Sequence, residues 1–171
     1  MRQRHPMARR AALLVASVAF AIGAAPAAPP GAVRVNPFHD PFERATRGLA
    51  GCLAPSPPTY TASEIREVEH HRVERGNSCY LAGKCRYSNS FLYDRGIAAK
   101  LVPRLRADPA LRDSSVWVLV QGRMVQFFGC VSRRGQIDRL KAAARATRDV
   151  QAVLAEVMVG TGGEPPYATA P

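Results

Sequence analysis

Residues 116–131 read Val116-Trp117-Val118-Leu119-Val120-Gln121-Gly122-Arg123-Met124-Val125-Gln126-Phe127-Phe128-Gly129-Cys130-Val131, two apolar runs around a glycine-bearing turn. β-Branched and aromatic side chains dominate both runs, the composition of strands that pack on a pleated surface. A two-residue turn at Gln121-Gly122 predicts a tight antiparallel hairpin. In that register Val118 pairs with Val125 and Val116 with Phe127 on one face. Trp117, Leu119, Met124, Phe128 and Cys130 fall on the other. Both faces are therefore apolar. A small sheet with helices on one side alternates apolar with polar residues. The second face is thus expected either to be covered by another segment or to bind lipid or a partner.

Helical patterns flank the hairpin. Ile97, Leu101 and Leu105 recur at i, i+4 and i+8, one face of a helix ending near Asp108-Pro109. Pro103 inside that run is expected to kink the helix or end it early. After the hairpin, Ser132 is placed to cap a helix with Ile137, Leu140 and Ala144 inward. Its outer face carries Arg133, Arg139, Lys141 and Arg145. A last strand is expected over about 152–159, and the tail at 160–171 is expected to be flexible. Upstream, Thr61 with Glu64 three residues later forms the capping-box pattern of a helix that stops at Gly76. Its surface carries Glu67–His71 and His70–Glu74 pairs at i, i+4. Residues 61–93 thus read as a helical, cysteine-containing extension, and residues 28–60 as an extended proline-rich segment with apolar hooks at Phe38 and Phe42.

The chain opens with Arg2, Arg4, Arg9 and Arg10, then an apolar run from Ala11 to Ala25 and the small residues Ala25-Pro26-Ala27. That is the pattern of a cleavable secretory signal over residues 1–27. Its removal takes four of 24 basic residues and none of 13 acidic ones, leaving a net charge of +7. In an exported chain this excess points to anionic phospholipid headgroups, surface polysaccharide or an acidic envelope protein as partner, or equally to a solvated surface with no dedicated partner, and not to nucleic acid. The even number of cysteines, Cys52, Cys79, Cys85 and Cys130, favours two disulfides. The short Cys79–Cys85 loop contains Gly83 and closes easily; if that pair forms, Cys52 must join Cys130. A Cys52–Cys130 bond pins the N-terminal extension across Trp117 and Phe128. A free or lipidated Cys52 leaves that face open. Leu49-Ala50-Gly51-Cys52 has lipobox form but lacks the apolar run directly before it that a lipobox requires.

His70, His71, Cys79 and Cys85 suggest zinc by composition only, because adjacent histidines on a helix point about 100° apart and oxidised cysteines do not ligate. No catalytic triad, phosphate loop or paired-carboxylate motif stands out, so the chain reads as a non-catalytic binding module with no metal and no cofactor.

Residues 94–159 resemble a BON domain, a module of bacterial envelope proteins. The resemblance rests on the Ile97/Leu101/Leu105 helix followed by Asp108-Pro109-Ala110-Leu111 and on the hairpin ending in Gly129-Cys130-Val131. It also rests on the final run Asp149-Val150-Gln151-Ala152-Val153-Leu154-Ala155-Glu156-Val157-Met158-Val159. It implies an α+β sandwich of two helices on a three-stranded mixed sheet, in the order αββαβ, with the disulfide-bearing extension before it. It further implies a periplasmic role in attachment to phospholipid membranes or protein partners. Trp117 and Phe128, with Arg123, Arg133 and Arg134 as the basic rim, are the residues expected to carry such contacts. The alternative is a disulfide-stabilised structural or assembly component acting through protein–protein contacts. Asp149 stands where the family usually has glycine, and Cys130 where a small polar residue is common.

Overall fold

The computed structural model describes residues 33–171, so the export signal expected at residues 1–27 lies outside the described residues. In chain order the main elements are β1 (Phe42–Arg44), α1 (Ala62–Glu74), α2 (Asn77–Leu81) and α3 (Asp94–Ala107). They continue with β2 (Ser114–Gln121), β3 (Met124–Val131), α4 (Arg134–Arg145) and β4 (Ala152–Val159). The strands form one mixed sheet in the order β1-β2-β3-β4. β1–β2 and β2–β3 are antiparallel, whereas β3–β4 is parallel and α4 supplies the crossover.

The period-two pattern of the hairpin explains which face is the core. Val116, Val118, Val120, Val125, Phe127 and Val131 are fully buried. They meet Ile97, Leu101 and Leu105 of α3 and Leu140 and Ala144 of α4 in one cluster. Each such side chain removed from water contributes about 1.5–3 kcal/mol. β4 adds Val153, Ala155 and Val157 to the same side.

Three sequence expectations are corrected here. The sheet has four strands rather than three, because residues 42–44 of the proline-rich segment pair with the outer edge of β2. That pairing supplies partners to backbone groups β2 would otherwise leave unpaired. The hairpin register is offset by two residues: Val118 faces Phe127, Val120 faces Val125, and the turn is Gly122-Arg123. A shift of two keeps every side chain on its expected face. Finally, α3 continues through Pro103 to Ala107. Pro103 and Ala99, whose carbonyl loses its i+4 donor, are both exposed, so water can satisfy that group while the opposite side stays anchored in the core.

The tail, expected to be flexible, hydrogen-bonds to the segment before α1: Ser56 N donates to Ala168 O at 2.8 Å, and Ala170 N to Ala54 O at 2.9 Å. The capping box at Thr61 and Glu64 forms as the sequence indicates. Ser132 lies one residue before the N-cap of α4, where its hydroxyl donates to Asp113.

Gly129 sits in β3 at φ 120°, and a Cβ there would lie 2.1 Å from the Ser115 carbonyl oxygen. Gly129→Ala is expected to cost about 3 kcal/mol or more, because both the backbone conformation and the strand approach must give way. Urea unfolding midpoints check this; a loss under about 1 kcal/mol would show that β2 and β3 do not approach so closely.

Candidate functional site

The face of the sheet turned away from α3 and α4 carries a row of four side chains, one from each strand. By register Arg44, Trp117, Phe128 and Glu156 lie side by side. The Arg44 guanidinium stacks 4.4 Å from the Trp117 ring and donates to the carbonyl of Thr46 at 3.1 Å. Trp117 is only 8% exposed. Phe128 is half-buried and meets Tyr167 of the tail edge-on, with ring centroids 5.9 Å apart.

The cover over this row is covalently fixed. Cys52 is bonded to Cys130, which is fully buried in β3, and Cys79 is bonded to Cys85. The Tyr167 hydroxyl donates to the Leu53 carbonyl at 2.8 Å, joining the tail to the segment the disulfide holds. Burial pushes the Tyr167 hydroxyl above the ordinary phenol range. Ser115, on the same face as Trp117, exchanges hydrogen bonds with both the N–H and the C=O of Leu49. The cover closes the Cys130 end of the face. Toward β4 the face becomes mixed: Gln126, Glu156 and Met158 are half-buried, and Leu154 is 46% exposed.

A second polar centre locks the hairpin tip. Gly122 and Arg123 have φ of 57° and 69°, the left-handed pair that a type I′ turn needs. Glycine adopts this at little cost, but arginine does not. The buried Asp94 carboxylate holds the turn by accepting the N–H of Gly122 at 2.6 Å and of Arg123 at 2.8 Å. The Arg123 side chain donates to the Asp149 carbonyl at 2.7 Å, stacks 4.6 Å over Tyr93 and reaches Cys85 Sγ at 3.3 Å. Asp149 itself has φ 75°, which explains why a glycine would suit that position. Beside this centre, Arg72 of α1 forms a two-pronged pair with Asp40 at 2.9 and 2.5 Å. Its guanidinium lies between Phe38 and Phe91, 4.2 and 3.7 Å from their centroids. Gln121 at the end of β2 donates to the same Asp40 carboxylate and to the Tyr60 hydroxyl. No residue of α1 is fully buried, and this pair ties it to the sheet beside the half-buried Ile65 and Val68.

The basic residues expected to line one rim are not brought together. Arg123 precedes β3 and is engaged at the hairpin tip, whereas Arg133 and Arg134 follow the other end of that eight-residue strand, about 25 Å away. Arg133 pairs with Asp113 at 3.3 Å, and Arg134 is exposed. His70 and His71 stand exposed on α1 while Cys79 and Cys85 are spent on each other, so these four form no imidazole–thiolate set. Among the described residues no three His, Cys, Asp or Glu side chains converge as a metal site. No helix among them is long and apolar enough to cross a membrane. The two disulfides fit an oxidising, exported environment. No family model, curated protein or solved structure matches the chain.

Sequence reading missed Arg44, Tyr167, Asp40 and Asp94. Phe42 was visible as an apolar hook, but nothing local marks Arg44 as the partner of a tryptophan 73 positions away in the chain.

Two expectations follow. Burial, opposed by the two backbone N–H groups, pushes the Asp94 carboxyl up from 3.8 to about 6. The folded chain then holds this proton more tightly than the unfolded chain. Its contribution to stability is full below about pH 4 and is lost as pH rises through 6. Asp108 and Asp113, held below the ordinary carboxylate range by hydrogen bonds from Arg139 and Ser132, act only at lower pH. Asp94→Asn is expected to flatten the stability profile between pH 4 and 6 in urea titrations; an unchanged profile would contradict this assignment. Separately, the Cys52→Ala/Cys130→Ala double variant is expected to lose about 2–5 kcal/mol. Its Trp117 emission should shift to the red as the cover loosens. Unaltered emission with unaltered stability would mean that the bond does not hold the cover.

Proposed function

We propose that the chain is a non-catalytic, BON-like binding module of the bacterial cell envelope that acts through contact with a protein partner. The order α3-β2-β3-α4-β4, with β3 parallel to β4, agrees with the αββαβ order the resemblance implies, and so supports that reading. The leader-like residues 1–27 and the disulfides support export to the periplasm.

The observation that carries protein contact over lipid contact is the closure of the Trp117 side. An apolar anchor that enters a bilayer must be free to leave the protein surface. Trp117 is held beneath Arg44, beside Phe128, under a cover tied by Cys52–Cys130 and Tyr167. The sheet ends at the three-residue β1 on one side and at β4, eight residues long, on the other, and no other described segment pairs with the outer edge of β4. An uncovered strand edge offers a row of backbone donors and acceptors, the surface to which an extended segment of another protein adds as a further strand.

Trp117 is the single tryptophan of the chain and reports directly on this choice. Mixing the protein with vesicles of neutral or anionic phospholipid is expected to leave its emission unchanged. A blue shift or quenching protection specific to anionic vesicles, accompanied by co-sedimentation, would transfer the assignment to membrane attachment.

A further inference from the structure

Beyond the Trp117 face and the hairpin tip, the segment after β1 builds a strongly basic cleft. Arg47, Arg106 and Arg112 line it together with the buried Ala45 and Thr46, around a volume of about 250 Å³. The three guanidiniums come from three stretches of chain: the turn after β1, the last turn of α3 and the loop before β2. No carboxylate lines the cleft. Among the described residues none of the three has an acidic partner within 4 Å, whereas Arg34, Arg72, Arg86, Arg133 and Arg139 each have one.

The framework is fixed before any ligand arrives. The N–H groups of Ala45 and Gly48 donate to the carbonyls of Val116 and Ser114 at 2.8 and 2.7 Å. The Thr46 hydroxyl is hydrogen-bonded to that of Ser114 at 2.8 Å and accepts the Val116 N–H at 3.0 Å. Gly48 lies so close to Arg112 that a Cβ would stand 1.7 Å from its carbonyl oxygen. Arg106 donates to the Arg44 carbonyl at 3.3 Å, which positions one guanidinium over the segment. Arg44, stacked on Trp117 outside the cleft, is close enough to Arg47 that their repulsion, after burial, lowers its pKa. Bringing like charges together without counter-charge is unfavourable, and a bound anion removes the penalty.

We propose that this cleft is a phosphate site that takes a doubly charged phosphate group, as the free ion or a small monoester. Guanidinium forks match the oxygens of a tetrahedral phosphate with paired, charge-assisted hydrogen bonds. At about 250 Å³ the cleft has room for the anion and a short organic group. This goes beyond contact with a protein partner, because it uses different residues on a different part of the surface.

Calorimetric titration at constant ionic strength, with inorganic phosphate and then glycerol 3-phosphate, tests it. Saturable binding is expected for the wild-type chain, weakened about tenfold by either Arg47→Gln or Arg112→Gln. The Arg133→Gln/Arg134→Gln variant, which changes a basic pair elsewhere, is expected to bind as the wild type does. Circular dichroism of each variant separates lost binding from lost folding. Vesicles of phosphatidic acid distinguish the source. Binding to them that Arg112→Gln removes, without change in Trp117 emission, identifies a lipid headgroup; binding of the soluble ester alone identifies a free metabolite. Absence of saturable phosphate binding, or equal weakening by the Arg133/Arg134 pair, would overturn the proposal and leave three solvated arginines.

Discussion

The Cys52–Cys130 bond ties the segment that precedes α1 to a fully buried position in β3. It joins residues 78 apart in sequence, so in the chain-entropy picture it restricts the unfolded ensemble by about 4.5 kcal/mol. Its larger consequence is architectural. A sheet with helices on one side and an apolar second face needs a cover, and this chain draws that cover from both of its flanks. The disulfide fixes the N-terminal flank, and Tyr167 fastens the C-terminal flank to it through the Leu53 carbonyl. Arg44 then closes the ring of Trp117 from the edge strand.

The helical extension is attached by a different kind of force. No residue of α1 is fully buried, and Ile65 and Val68 are only half-buried, so hydrophobic packing anchors it only in part. Arg72 places it by pairing with Asp40 and stacking between Phe38 and Phe91. An ion pair this enclosed contributes mainly specificity, since desolvation offsets much of its attraction; losing one partner leaves an uncompensated charge. Gln121 reaches the same carboxylate, which couples the position of α1 to the end of β2. The hairpin tip, locked by Asp94, and the helical extension are therefore neighbours in one polar network around an apolar sheet.

The elements built from local periodicity were legible in the sequence. The i, i+4, i+8 spacing of Ile97, Leu101 and Leu105 marks a face that is buried, and β4 has the expected bounds. The alternation of the hairpin assigns each residue to the right face even though the turn lies one residue later and each cross-strand partner is shifted by two. The register depends on Asp94 accepting both tip N–H groups, a contact 28 residues away that no local pattern encodes. The same holds for β1: three residues in a proline-rich segment carry no strand signal of their own and pair only because β2 offers an edge. The second face was legible as a question, covered or binding, and Cys130 pointed to the answer. The arginine cleft was invisible, because its three residues come from separate stretches and each alone reads as a solvated charge.

Peptide mapping of the unreduced, full-length protein recovered from an oxidising compartment tests the covered face most directly. The account predicts a Cys52-containing peptide linked to the Cys130 peptide, with Cys79 linked to Cys85 and no free thiol. A free Cys130, or Cys52 joined to either of the other two cysteines, would leave the Trp117 face without its clamp and contradict the account.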